Sequence, residues 1–261
     1  MQSRNLKSII RATLIVLAVA LTACTTITTI EYRDVQGDFV EAVSADNSWS
    51  VSPLGASAAD GLYSGIVTQL TDEYIAKLDD RLKLNAWLLR AVSEWRLGEL
   101  SKARVSAQNG LKASQDNQVE SRDYVMLAML DGLIIDSELN IEYRKLISAS
   151  PDQTITLNDY NENSFALNFE TALTELDNGY RQAGPATPPE VGWFFHYHRW
   201  RIINNWVIVV TSIEPGEDRI SATAEAESKL AMDFLEAMEA ELEPIPQGHP
   251  LRDLIRAQEA E

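Results

Sequence analysis

The chain has 261 residues, 45% of them hydrophobic, with 22 lysines and arginines against 39 aspartates and glutamates and a formal net charge of −17. So acidic a surface repels polyanions and excludes a nucleic-acid partner. The single cysteine excludes an internal disulfide, and the length suits one domain or two closely packed ones.

From the start, Arg4, Lys7 and Arg11 form a positive segment without an acid, followed by the short apolar run Thr13–Leu21. That run falls short of the about 20 residues needed to span a bilayer, so the order of charge and apolar residues predicts a secretory signal. Leu21-Thr22-Ala23-Cys24 follows and resembles the lipobox of bacterial lipoproteins. The resemblance implies a signal peptide over residues 1–23, with Cys24 as the acylated (palmitate-bearing) first residue of the mature protein. More than one acyl chain would give a stable membrane anchor, and an acylated cysteine is not a free thiol in an oxidising compartment. Thr25, in place of an aspartate, implies sorting to the outer membrane, facing the periplasm. The signal holds three of the 22 basic residues and no acid, so 238 residues remain with 19 basic and 39 acidic groups, a charge of −20.

Residues 24–56 read as the lipidated cysteine and a mostly flexible tether, rich in Ser, Asp, Asn and Gly around DNSWSVSPLGAS, with at most a short helical turn at Phe39, Val40 and Val43. From 57 to 261 a single all-helical domain is expected. Leu62, Ile66, Leu70, Tyr74 and Leu78 recur every four residues, and Leu84, Trp87, Leu88, Ala91 and Trp95 continue the pattern to Gly98. Leu100, Ala103, Ala107 and Leu111 mark the next helix. Two more are read at 120–135 and 137–149, separated near Asp136, and 150–161 is read as a loop. Phe165, Phe169, Leu173, Leu176 and Tyr180 form another stripe, and the prolines of GPATPP at 184–189 then break the helix. An apolar helix at 190–213 and an acidic one at 218–242 complete the series, with a short docked helix at LRDLIRAQ. The fold class is all-α, with antiparallel hairpins joined by short turns.

Residues 86–111, AWLLRAVSEWRLGELSKARVSAQNGL, resemble one tetratricopeptide repeat, a helix–turn–helix unit. Trp87, Ala91, Leu97-Gly98, Ala103 and Leu111 match the family's pattern. Glu94 and Ala107 stand where the family has aromatics, Gly110 replaces an alanine, and no proline closes the unit. Nothing after about residue 150 matches. The resemblance implies either a tetratricopeptide-like array or a right-handed helical bundle, with a groove that holds an extended peptide or a partner helix.

The segment VGWFFHYHRWRIINNWVIVV (191–210) concentrates aromatics and two of the three histidines. Trp193, Tyr197, Trp200 and Trp206 are candidates to line a binding pocket, with Arg199 or Arg201 gripping an anion. The competing reading is a packed central helix whose main stripe is Trp193, Tyr197, Trp200, Ile203 and Val207. His196 and His198 lie two apart and diverge on a helix, and His249 sits in a Pro-rich turn, so no metal site or cofactor is expected. No G-x-S-x-G or phosphate-loop pattern occurs, and acid pairs such as Asp79-Asp80 and Glu241/Glu243 read as solvated faces. Two functions follow. The first is a non-enzymatic, membrane-anchored scaffold for an envelope protein partner. The second is a small-ligand-binding or transporter-accessory lipoprotein with its pocket around 191–210.

Overall fold

The computed structural model describes residues 27–46 and 58–235. Cys24, the signal segment, His249 and the acids beyond Asp233 lie outside them. The described residues form ten α-helices. They are α1 (Ile27–Ala45), α2 (Asp60–Gln69), α3 (Asp72–Lys77), α4 (Asp80–Arg96), α5 (Leu100–Ala113), α6 (Arg122–Ala149), α7 (Leu157–Glu162), α8 (Phe165–Tyr180), α9 (Pro189–Thr211) and α10 (Glu217–Leu230). Among the described residues the only β pairing is a parallel bridge between Ile155 and Ile213.

Local chemistry sets the helix ends. The side chains of Thr71, Asp79, Ser121 and Thr156 each accept a hydrogen bond from a backbone N–H in the first turn of α3, α4, α6 and α7. Pro189 opens α9 at a position where a missing N–H is harmless. Gly98, at φ +74°, takes the left-handed conformation that ends α4 and turns the chain into α5.

The helices pair into four hairpins: α1 with α2, α4 with α5, α6 with α8, and α9 with α10. Close approaches fix their direction. A Cβ on Gly110 would meet Trp87, so α5 returns along α4. Gly132 lies against Ala172 and Leu176, and Gly179 against Ala128, so α8 returns along α6. Successive hairpins also touch, with α2 on α4, α5 on α6 and α8 on α9.

The first helices of the four hairpins run parallel, each neighbouring pair joined by polar ties at two levels along its length. Tyr32 and Gln36 of α1 donate to the Asn85 carbonyl of α4 at 2.6 and 2.8 Å, and Arg96 donates to Asp46, just past α1, at 2.8 Å. Asn85 in turn donates to Asp123 of α6 (2.9 Å), and Trp95 donates to Ser137 (2.9 Å). From α6, Asp136 accepts from Arg201 and Asn205 of α9 at 2.8 and 2.9 Å, and Tyr143 reaches Ser212 at 2.7 Å. The tied pairs Asn85–Asp123 and Trp95–Ser137 are 38 and 42 residues apart, longer than the about 34 of a tetratricopeptide unit.

Four expectations are corrected. The tether reading fails over Ile27–Ala45, because Tyr32, Val35, Phe39, Ala42 and Val43 form a buried stripe of α1. The stripe at 57–80 breaks at Leu70, where Thr71 caps a new helix. The two helices expected at 120–149 are one, because Asp136 is a buried partner and not a break. The loop at 150–161 includes the start of α7. The acidic helix runs as expected from Glu217 to Leu230 and continues in wider turns over Ala231–Leu235; its expected end at 242 lies outside the described residues.

Candidate functional site

The aromatic helix α9 separates the five residues expected to share a pocket. Trp206 belongs to the core at 1% exposure. Its indole N–H donates to the Tyr160 hydroxyl at 2.8 Å, its ring stacks on Phe169 with centroids 5.9 Å apart, and the Lys229 ammonium lies 4.5 Å from its centroid. Arg199 turns toward α8 and the turn after α10, where Asp177 and Asp233 hold it, the latter at 2.7 Å. Trp193, Tyr197 and Trp200 lie on another side and are half-buried, with the Tyr197 and Trp200 rings 6.2 Å apart.

The expectation that Trp193, Tyr197 and Trp200 carry the main stripe is therefore corrected. The buried stripe is Val191, Phe195, His198, Ile202, Trp206 and Val209, because α6 and α8 cover that side. Trp206→Ala is expected to lose about 3–5 kcal/mol of stability, the range for a fully buried large aromatic. Trp200→Ala should lose clearly less. Urea midpoints of the two variants check the order, and equal losses would contradict it.

The two histidines diverge as their spacing requires. His196 meets Tyr180 edge-on with centroids 6.1 Å apart, whereas His198 points to Trp95 of α4 at 6.3 Å. No group of three metal-ligating side chains occurs among the described residues. Of the acids singled out, Asp79 caps α4 and Asp80 pairs with Lys83 at 2.7 Å. On α10, Glu217, Asp218, Glu225 and Glu227 face solvent.

The densest polar chemistry lies where the first helices meet. Arg96 (3% exposed) pairs with Asp46 (1%), and Arg201 (3%) pairs with Asp136 (0%), each at 2.8 Å. Both guanidinium groups lie over the Trp95 ring, that of Arg96 at 5.1 Å and that of Arg201 at 5.9 Å from its centroid. Asp136 also accepts from Asn140 and Asn205. His198 completes the group, in T-shaped contact with Trp95 and 1% exposed. Arg201 is visible in the sequence as a candidate to grip an anion. His198, Asp136, Asp46 and Trp95 are not assigned to a site there. The spacing of His198, Arg201 and Asn205 by three and four on an otherwise apolar helix is the signal that points to this cluster.

Burial, reinforced by Arg201 and Arg96, holds the His198 imidazole well below its ordinary pKa of 6.5. In the unfolded chain this histidine takes up a proton below about pH 6.5, which the folded chain resists. Its contribution to stability is present above that pH and is lost as the pH falls toward the folded value. The unfolding midpoint of the wild type should drop between pH 7.5 and 5 more than that of His198→Gln. Parallel profiles would contradict the assignment.

No family model matches this chain, and no curated protein or solved structure matches it either. The fold therefore stands on its own geometry: an all-α protein built as a row of helical hairpins.

Proposed function

We propose that the chain is a lipid-anchored scaffold of the bacterial envelope, non-enzymatic, attached through Cys24 to the outer membrane and offering its hairpin array to a protein partner in the periplasm. The parallel alignment of α1, α4, α6 and α9 carries this reading, since a row of aligned hairpins presents one continuous layer of first helices to a partner. The resemblance of residues 86–111 to a tetratricopeptide repeat supports it. Trp87, Ala91 and Ala103 are buried in the α4–α5 hairpin, and Gly98 forms its turn. The anchor rests on the Leu21–Cys24 motif; no helix among the described residues is long and apolar enough to cross a membrane.

Two measurements on the full-length chain test the proposal. Cys24→Ser should abolish labelling with radioactive palmitate and release the protein from membranes in high salt, with an unchanged helical circular dichroism spectrum. A variant that stays bound would sink the anchor. In living cells, a photo-crosslinker is placed singly at exposed residues of the first helices (Arg33, Arg144) and of the second helices (Val105, Leu167). Adducts with one and the same envelope protein, from one layer only, are expected. No adduct, or indiscriminate adducts from both layers, would overturn the scaffold.

A further inference from the structure

Buried polar groups in folded proteins almost always have partners, because an unpaired donor in the interior has lost its hydration with nothing in return, and the loss is larger when the group is charged. Arg201 breaks that rule. Its Nη2 donates to Asp136 at 2.8 Å, but Nε and Nη1 have no hydrogen-bond partner, although the residue is 3% exposed. His198, three residues earlier and so on the same face of α9, is 1% exposed and has an unpartnered Nδ1. Both side chains pack on one indole: the Trp95 ring lies 6.3 Å from the imidazole centroid and 5.9 Å from the guanidinium carbon. Two buried side chains with three unpartnered nitrogens between them thus pack on a single ring of α4.

We infer that Arg201 and His198 bind a small carboxylate inside the array, with Trp95 as one wall. The unpaired Arg201 groups are donors, so the missing partner is an acceptor. The acids that meet these two guanidinium groups are occupied: Asp136 accepts from Arg201, Asn140 and Asn205, and Asp46 accepts from Arg96 and Tyr63; Glu94, next to Trp95 on α4, keeps one carboxylate oxygen unpartnered but is committed through the other to Arg90. Burial first, then Arg201 and Arg96, oppose protonation of the imidazole, so it adds no charge to the site. One guanidinium with donors to spare and a neutral imidazole suit a monoanion. A carboxylate fits, since it pairs with guanidinium in planar, charge-assisted hydrogen bonds. A phosphate dianion would bring a second charge with no second unpaired cation of the cluster to meet it. The site does not depend on the scaffold reading and would stand if no protein partner existed.

The test titrates the full-length chain in detergent with acetate, at constant ionic strength made up with chloride, and with inorganic phosphate in a parallel series. Acetate should raise the thermal midpoint saturably and give a calorimetric isotherm, and Arg201→Lys should weaken that binding about tenfold or more. Because the variant also disturbs the Asp136 pair and can fail to fold, a second readout uses the wild type. With nitrogen-15 arginine labelling, the Arg201 Nε–H resonance should shift with acetate and not with chloride. A flat titration, equal effects of acetate and chloride, or a response to phosphate alone would overturn the proposal. So would electron density showing an ordered water as the sole acceptor at Arg201.

Discussion

Replacing Gly179 by alanine is expected to destabilise the domain by about 3 kcal/mol, the upper part of the usual range for overpacking. On propensity alone the change should help, since alanine in a helix interior is worth about 1 kcal/mol over glycine. The crossing of α6 and α8 decides the sign. A Cβ at Gly179 would sit 2.5 Å from the backbone carbon and oxygen of Ala128, and one at Gly132 would sit 2.6 Å from the Ala172 oxygen. Backbone cannot swing aside as a long side chain can, so the two helices must separate along a packed core. Gly65 of α2 provides the control. Nothing lies within 4 Å of a Cβ there, and Gly65→Ala should raise stability by about 0.5–1 kcal/mol. Chemical denaturation of the three proteins checks the pattern; a stabilised Gly179→Ala variant would mean that α6 and α8 do not cross at this point.

The second large effect concerns Asp136. Asp136→Ala strands Arg201 in the interior without its carboxylate partner from the protein, and removing one partner of a buried ion pair costs about 3–5 kcal/mol. Asn140 and Asn205 lose an acceptor in the same step. The loss is a large share of a typical domain stability of about 5–15 kcal/mol, so a low folded yield and a sharply reduced urea midpoint are expected. The double variant Asp136→Ala with Arg201→Met should recover much of the loss, because it leaves no uncompensated charge in the interior. A double variant no more stable than Asp136→Ala would show that the pair is not what the single change breaks.

Asp136 also shows where a sequence is readable and where it is not. The α4–α5 hairpin was legible because its determinants are local: Gly98 for the turn, Ala91 and Ala103 for close contact, and leucines at helical spacing. The proline break at 184–189 was legible for the same reason. An acid inside an apolar run, however, looks the same whether it ends a helix or meets a buried arginine, and the partner of Asp136 is 65 residues away. The candidate pocket on α9 failed similarly. The helix is apolar on several sides, so counting aromatics could not tell which stripe the neighbours cover; only the contacts with α6 and α8 place Trp206 inside and leave Trp193, Tyr197 and Trp200 at the edge. In α1 the stripe Tyr32, Val35, Phe39 and Ala42 was present at spacings of three and four, but Gly37 and the surrounding polar residues masked it as tether.

That first helix changes how far the proposed anchor would let the protein reach. A leash running to residue 56 would let the hairpins roam well clear of a membrane. Helix α1 instead begins at Ile27, three residues after Cys24, and is stitched to α4 through Asn85 and Arg96. Three residues extend at most about 11 Å. With an acyl chain on Cys24, the array would ride against the bilayer surface, and its encounters would be confined to molecules embedded in that membrane or brought to it.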